Sequence, residues 1–489
     1  MGASKPADRS SEQGYRSILR GTSAFGGVQM LNILAGLVRG KLVAVFLGTV
    51  GMGIVSLYNS ALNTILRFAS LGLNLSVVKE IAAAKSDSER LARVAGTARA
   101  MLYATAVLGA LVCLVLSPWL SRLTFGDSAH TGGFAMLSLM AFFLIAGAGE
   151  MSVLQGLRDT RRLARATAVG SFAGLFVSVP LYWIFGQRGI VPSMIILTGM
   201  VYAFNCVSAR RSLGAASFIA WRRLDTSVAR TLVATGAVLM ASDAVGTAFQ
   251  YVLNAFVRYS GGLGDVGMWQ AANSLTLQYS GVVFAALAMD YLPRLAAVAH
   301  SDSRLNLVVN RQMEIVAWLA GPLGALLVLF APLVVRLLLT SEFEPVVPLI
   351  RAMGVALTLK AVMYPMAYIV FAKDNRRVFF WLEGVFCNTL TVILAVAGYW
   401  LYGLIGLGLA QIADNVICLA VYYVLNRRLY RFGLRRRVML SCLTAISATA
   451  AVYAISLLPS SPGAWIAMGA FTLVICGFAV RTLLSLWRR

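Results

Sequence analysis

Apolar runs long enough to cross a bilayer recur along this chain with almost nothing between them. Bounded by charges or Gly/Pro clusters, they fall at about 22–46, 54–78, 97–117, 133–156, 166–185, 190–209, 229–257, 266–292, 313–335, 347–371, 378–398, 403–425, 439–458 and 464–484. A spanning helix needs about 20 mostly apolar residues, and each run supplies them. A closed barrel would show alternating segments of about 10 residues, and these are not seen. Only 12% of the residues are charged and mean hydropathy is +0.79, whereas soluble domains carry roughly a quarter charged residues. An all-α polytopic membrane protein of about 14 helices is expected, with no loop long enough to fold by itself. Residues 1–21 are polar and lack a cleavage site after a short apolar run, so no signal peptide is expected.

The loops orient the helices, because Lys and Arg favour the cytoplasmic side. With the N-terminus inside, the inner segments hold 33 of the 42 Lys and Arg: 4 before span one, then 5, 4, 5, 3, 3 and 6, and 3 at the end. Both termini are then cytoplasmic. The net charge of +23 becomes a topological signal with an attraction for anionic headgroups, and a nucleic-acid partner is not needed.

The chain also repeats itself. Leu47-Gly48-Thr49-Val50-Gly51-Met52 is echoed by Leu263-Gly264-Asp265-Val266-Gly267-Met268, Ser86-Asp87-Ser88-Glu89-Arg90-Leu91 by Ser301-Asp302-Ser303-Arg304-Leu305, and Arg158-Asp159-Thr160-Arg161-Arg162 by Lys373-Asp374-Asn375-Arg376-Arg377. The offset is about 215 residues each time and the order is kept, which argues for a duplicated six-span unit. Six is even, so the two copies enter the membrane in the same direction. The expected organisation is a cytoplasmic segment 1–21, six-helix lobes 22–215 and 216–430, and two additional helices in 431–489.

Four spans carry polar faces at helical spacing. Span one has Gln29, Asn32, Gly36 and Arg39; span two has Ser56, Asn59, Ser60, Asn63 and Arg67. In the second copy, span seven has Asp243, Thr247, Gln250, Asn254 and Arg258, and span eight has Gln270, Asn273, Ser274 and Gln278. A lone Asn or Ser is explained by helix packing. Four stripes at equivalent positions favour a water-filled cleft between the copies, since a polar face is costly in lipid.

Arg39, Lys41, Arg67, Arg258 and, mid-span, Lys360 give this cleft a positive sign. Snorkelling to the interface is the alternative for Arg39, Lys41 and Arg258. Inward-facing guanidinium groups suit bidentate phosphate binding, so an anionic substrate carrying phosphate or pyrophosphate is expected. The embedded acids are Glu150, Asp243, Asp290, Glu383 and Asp414. Each can neutralise a neighbouring Arg or sit near an interface, as Glu150 does by position; Asp243 and Asp414 are the candidates for ion coupling.

Six cysteines in apolar segments without paired spacing read as packing residues. His130 and His300 fall in loops and build no metal site, and no phosphate loop or nucleophile motif is present. No cofactor is expected. Trp119, Trp183, Trp400, Trp465 and Trp487 lie near span ends as interface anchors.

The six-plus-six-plus-two arrangement, the Leu-Gly-Thr-Val-Gly-Met-Gly segment after a helix ending in Arg39, and Gly72-Leu73-Asn74-Leu75 followed by Lys79-Glu80-Ile81-Ala82 resemble the polysaccharide-flippase branch (Wzx type, O-antigen translocase) of the multidrug/oligosaccharidyl-lipid/polysaccharide exporter superfamily. The likeness is strongest over about 18–95. It implies a MATE-like flippase for undecaprenyl-pyrophosphate-linked oligosaccharide in the bacterial inner membrane, working by alternating access and not as an enzyme. It also implies a lipid-linked substrate, contact with membrane lipids, a polysaccharide polymerase and chain-length machinery as neighbours, and a monomeric state. Multidrug members of the superfamily often rely on an acid in the first helix; span one has Arg39 and Lys41 instead. The other readings are a multidrug or lipid II exporter and a membrane-embedded glycosyltransferase or ligase. The last would need acid/base residues in a sizeable outer loop, and 118–132 offers little beyond Asp127 and His130.

Overall fold

The computed structural model describes residues 7–85, 87–214, 225–278, 281, 291, 294–373, 375–459 and 461–487; side chains are described from residue 35 on, apart from those of 75, 160, 234–243, 277, 278, 376, 486 and 487. The elements, in order, are α1 (Ala7–Ala69), α2 (Leu73–Ala84), α3 (Ser88–Val115), α4 (Ser117–Phe125), α5 (Thr131–Gly156), α6 (Thr160–Phe185), α7 (Ile190–Leu213), α8 (Thr226–Asn273), α9 (Asp302–Leu338), α10 (Val347–Ala372), α11 (Arg376–Phe379), α12 (Asn388–Tyr402), α13 (Leu404–Tyr430), α14 (Arg436–Ser456) and α15 (Pro462–Trp487). Two π-helical turns, Ser274–Gln278 and Phe380–Cys387, extend α8 and join α11 to α12. There is no strand among the described residues.

Ten stretches among the described residues are long and apolar enough to cross a membrane. One of them, 161–213, contains both α6 and α7. In addition, α1 and α8 each join two helices across a non-helical glycine, which brings the helical order close to the fourteen runs of the sequence. Phe176, Trp183, Leu401, Ile466 and Leu473 are exposed; such surface is unusual for a soluble monomer and suits acyl chains.

The chain divides into two compact units, Met1–Leu47 with Tyr58–Thr247 and Gly48–Leu57 with Ala248–Arg489. In the first, Leu73, Val77, Ile81, Leu102, Leu154 and Leu213 form a core of α2, α3, α5 and α7. Helices α6 and α7 approach closely because Gly170 and Gly174 have no side chain: a Cβ on either would lie 2.8 Å from the Cα of Val201 or Leu197. Asp87 caps α3, accepting from the backbone N–H groups of Glu89 and Arg90 at 3.0 and 3.1 Å.

In the second unit, Leu305, Val309, Met313, Met366, Ile369 and Tyr422 belong to a core built on α9, α10 and α13. The two helices outside the repeat pack here as well. Thr449 of α14 donates to the Gly321 carbonyl at 3.1 Å and lies 3.3 Å from the Thr358 hydroxyl. Arg351 of α10 donates to the Ser456 carbonyl at 3.1 Å and stands over the Trp465 ring at 5.8 Å. An arginine inside an apolar run is therefore consumed in fastening α10 to α14 and α15.

Candidate functional site

The two glycine-rich segments break their helices at matching places. Gly48 has φ 64°, ψ −164° and Gly262 has φ 91°, ψ −177°, a region open essentially to glycine alone. String similarity pairs Gly48 with Gly264, whereas the backbone pairs it with Gly262. What the sequence suggests are loops are kinks in nearly continuous helix.

Segment 48–57 packs within the second unit, and its contacts are reciprocal. A Cβ on Gly53 would fall 2.0 Å from the Leu263 carbonyl oxygen, and one on Gly267 would fall 2.0 Å from that of Thr49. Ser56 Oγ donates to Gln270 Oε1 at 3.0 Å, across 214 residues of chain; the glycine pairs are separated by the same interval. Thr49 Oγ1 donates to Glu342 Oε1 at 2.8 Å. The repeated motif supplies a place where backbone meets backbone.

In the first unit, Asn59, Asn63 and Arg67 follow at four-residue steps on one face of α1; Asn59 is half-buried, Asn63 and Arg67 are exposed. Arg39 and Lys41 are half-buried and Gly36 exposed. The side chains of Gln29, Asn32 and Asp243 lie outside the described ones.

In the second unit, Gln250 is exposed, Asn254 is buried and Arg258 half-buried, again at four-residue steps. Gln250 Nε2 donates to Asn254 Oδ1 at 3.5 Å. Gln270 donates to Ser274 Oγ at 3.3 Å, and Asn273 is half-buried. Gln278's side chain and Asp290 are outside the described residues.

The same unit brings together polar groups that were separate in the sequence. Asp414 of α13 accepts from Thr391 Oγ1 at 3.0 Å and from Cys418 Sγ at 3.8 Å, and Lys360 and Glu383 both act on it electrostatically. Glu383, on the Phe380–Cys387 π-turn, accepts from the Tyr422 hydroxyl. Single π-turns inside helices often mark functional sites. Lys360 itself is exposed. The cluster thus joins two carboxylates, one ammonium group and neutral donors, and it includes Lys360 and Asp414 among the expected site residues.

The first unit holds an acid–base pair of another kind. Arg99, which the topological count places in a loop, is buried in α3, and its Nη2 and Nε donate to Glu150 Oε1 at 2.7 and 3.1 Å. Both side chains are 1% exposed. Tyr103 donates to the same oxygen at 3.0 Å and meets Tyr202 at 2.9 Å. Glu150 Oε2 is buried with no hydrogen-bond partner among the described residues. Of the two expectations for an embedded acid, Glu150 meets the first: it neutralises an arginine. The available signal was Arg99 and Tyr103 four residues apart, a polar face at the start of span three.

No group of His, Cys, Asp and Glu among the described residues can hold a metal. His130, a loop residue, stacks on Phe125 with ring centroids 3.9 Å apart and lies 3.1 Å from Asp127.

A family described as polysaccharide biosynthesis protein matches residues 42–348, the larger part of the chain. The chain belongs to this family. A lipid III flippase of Escherichia coli (strain K12) is 23% identical over 414 residues, covering 82% of this chain and 96% of the relative, and the lipid III flippase of Shigella flexneri matches equally. Among solved structures, the lipid II flippase MurJ in an inward closed conformation superposes with a TM-score of 0.73 at 13% identity, covering 95% of this chain and 99% of that one. An inward-facing multidrug resistance MATE family transporter of the MOP superfamily superposes with a TM-score of 0.68 at 17% identity, covering 84% and 95%.

The fold of this polysaccharide biosynthesis protein is accordingly the MOP fold, as the resemblance in 18–95 implies. The matched region of the family includes both kinked glycine segments, the Arg99–Glu150 pair, the Asn59–Arg67 face of α1 and the polar face of α8; Arg39, Lys41 and the Asp414 cluster lie outside it.

Proposed function

We propose that the chain is a flippase for a lipid-linked saccharide, moving undecaprenyl-pyrophosphate-linked oligosaccharide of a surface polysaccharide, such as an O-antigen unit, from the cytoplasmic to the outer leaflet of a bacterial inner membrane. The family match, joined to a lipid III flippase relative aligned over almost its whole length, carries this reading. Arg39, Lys41 and Arg67 in the first unit and Arg258 and Lys360 in the second are the candidate groups for the pyrophosphate. Guanidinium forks match its oxygens bidentately. Asn59, Asn63, Gln250, Asn254, Gln270 and Asn273 offer the sugar hydroxyls donors and acceptors, while the prenyl chain stays in lipid. Transport proceeds by alternating access, and the chain performs no covalent chemistry. Asp414 is the coupling candidate: it is bonded to a hydroxyl and a thiol and feels the charge of Lys360, so a change in its own charge would alter its hydrogen-bond partners. Asp243 is the second candidate. Both termini are placed in the cytoplasm by the loop charges.

Deleting the protein in its host tests the function. Lipid-linked oligosaccharide is expected to build up on the cytoplasmic leaflet while surface polysaccharide falls. Unchanged surface polysaccharide would overturn the reading, and build-up of the cell-wall precursor lipid II instead would reassign the substrate.

A further inference from the structure

The last turn of α13, its connection to α14 and the first turn of α14 carry Arg427, Arg428, Arg431, Arg435, Arg436 and Arg437 within eleven residues, without one acid. All six are exposed. Arg437 is spoken for by Glu314, at 3.0 Å.

A loop of this composition would ordinarily be solvated and loose, yet this one is built. Two asparagines of α9 grip its backbone on both sides. Asn306 Nδ2 donates to the Arg431 carbonyl at 3.2 Å, and Asn306 Oδ1 accepts from the Gly433 N–H at 3.2 Å. Asn310 Nδ2 donates to the Gly433 carbonyl at 2.9 Å, and Asn310 Oδ1 accepts from the Arg435 N–H at 2.9 Å. Phe432 is 1% exposed and anchors the loop in the core of the second unit. Arg431 ends α13 with φ 52°, a left-handed position where helices usually place glycine. Folding alone gives no reason to prefer an arginine there.

The surroundings say what the arginines face. The loop joins two helices of membrane-crossing length, Leu404–Tyr430 and Arg436–Ser456, so it lies at a membrane surface. Next to the arginines in the chain, Leu429, Met439 and Leu440 are 50%, 41% and 51% exposed, apolar surface suited to acyl chains. Clusters of four to eight basic residues immediately beside a spanning helix are the usual receptor for anionic lipid, and forked guanidinium donors match phosphate oxygens. The exposed apolar flank favours a lipid over an acidic soluble protein.

We propose that residues 427–437, held by Asn306 and Asn310, form a binding site for the phosphate headgroup of an anionic membrane phospholipid, with Arg427, Arg428, Arg431, Arg435 and Arg436 as its ligands. The site goes beyond the proposed transport activity and does not depend on it.

The test uses full-length protein in phosphatidylcholine nanodiscs containing a minor fraction of phosphatidylglycerol, with the phosphatidylglycerol retained on the purified protein counted by native mass spectrometry. Replacing the five arginines with Gln is expected to lower retention at least about tenfold. Replacing Arg90, Arg161, Arg165, Arg210 and Arg211 of the first unit with Gln removes the same charge and is expected to leave retention unchanged. The variant Asn306→Ala/Asn310→Ala keeps every charge and is expected to lose retention several-fold, because the loop is no longer fixed. Inorganic phosphate is expected not to displace the lipid. The proposal is overturned if the two five-Gln variants lose lipid equally, if the asparagine variant binds like the parent, or if inorganic phosphate competes.

Discussion

Each unit carries acids and bases inside its helices, and the two sets are built on opposite plans. In the first unit Arg99 and Glu150 neutralise each other, both 1% exposed. In the second, the carboxylates of Asp414 and Glu383 are bonded to Thr391, Cys418 and Tyr422, all neutral, while the ammonium of Lys360 is exposed. A charge pair sealed from solvent is a fixture whose loss leaves a bare charge in an apolar interior. Carboxylates held by neutral donors beside an accessible cation can change partner or charge without dismantling a lobe. We propose from this difference that the first cluster is structural and the second takes part in transport.

The sharpest way to break that comparison is Glu150→Ala. It strands the Arg99 guanidinium and is expected to lower stability by about 3–5 kcal/mol, read as a fall in the unfolding midpoint of detergent-purified protein. Replacing both partners, Arg99→Met with Glu150→Leu, is expected to cost much less. An equal loss in the single and double variants would show that the pair's charge is not what matters.

Next in size is Gly267→Ala. Its Cβ would enter the space of the Thr49 carbonyl, and forcing extra atoms into a packed contact costs typically about 1–3 kcal/mol. Transport is expected to fall with the stability, since segment 48–57 is held by this contact. Gly264→Ala, whose Cβ meets nothing nearer than 3.6 Å, is expected to be nearly silent in both measurements.

The contrast between these two glycines shows what the sequence could say. The Leu-Gly-x-Val-Gly-Met echo is legible as a repeat, and the apolar runs are legible as spanning helices, because both are patterns along the chain. The positive φ falls at Gly48 and Gly262, whereas string similarity pairs Gly48 with Gly264, so the alignment of letters picks the wrong glycine. The stripes of Asn59, Asn63 and Arg67 and of Gln250, Asn254 and Arg258 are visible because helical spacing is local. Arg99 was hidden for the opposite reason: at the edge of an apolar run it counts as a loop charge, and only the packing of α3 on α5 brings it to Glu150. Asp414 was visible as an embedded acid, while its neighbours Thr391 and Glu383 come from another helix.

Asp414→Asn sharpens the second half of the comparison. It keeps the shape of the cluster and is expected to shift stability by less than about 1 kcal/mol while lowering transport at least about tenfold, a change of roughly 1.4 kcal/mol in the barrier. Flux measured against purified protein of verified fold separates the two; normal flux would remove Asp414 from the mechanism.

The smallest expected effect is at Asp225, which caps α8 outside the apolar runs. Its carboxylate accepts from the Ser227 hydroxyl and from the backbone N–H groups of Ser227 and Val228. These bonds, the Ser227 hydroxyl foremost, hold its pKa below the ordinary aspartate value. A lowered folded pKa means the cap stabilises above the unfolded pKa, and the gain is lost as pH falls through the folded value. The difference in unfolding midpoint between the parent and Asp225→Ala is therefore expected to be small at neutral pH and to shrink on acidification.

The proposed transport requires intramembrane cations that hold a pyrophosphate-linked saccharide. The most direct measurement is flux of a fluorescent undecaprenyl-pyrophosphate oligosaccharide in proteoliposomes, comparing parent, Arg67→Ala and Lys360→Ala at equal protein. Flux above that of empty vesicles is expected for the parent, with a marked loss in both variants; parent flux no greater than that of empty vesicles, or undiminished flux in both variants, would contradict the proposed transport.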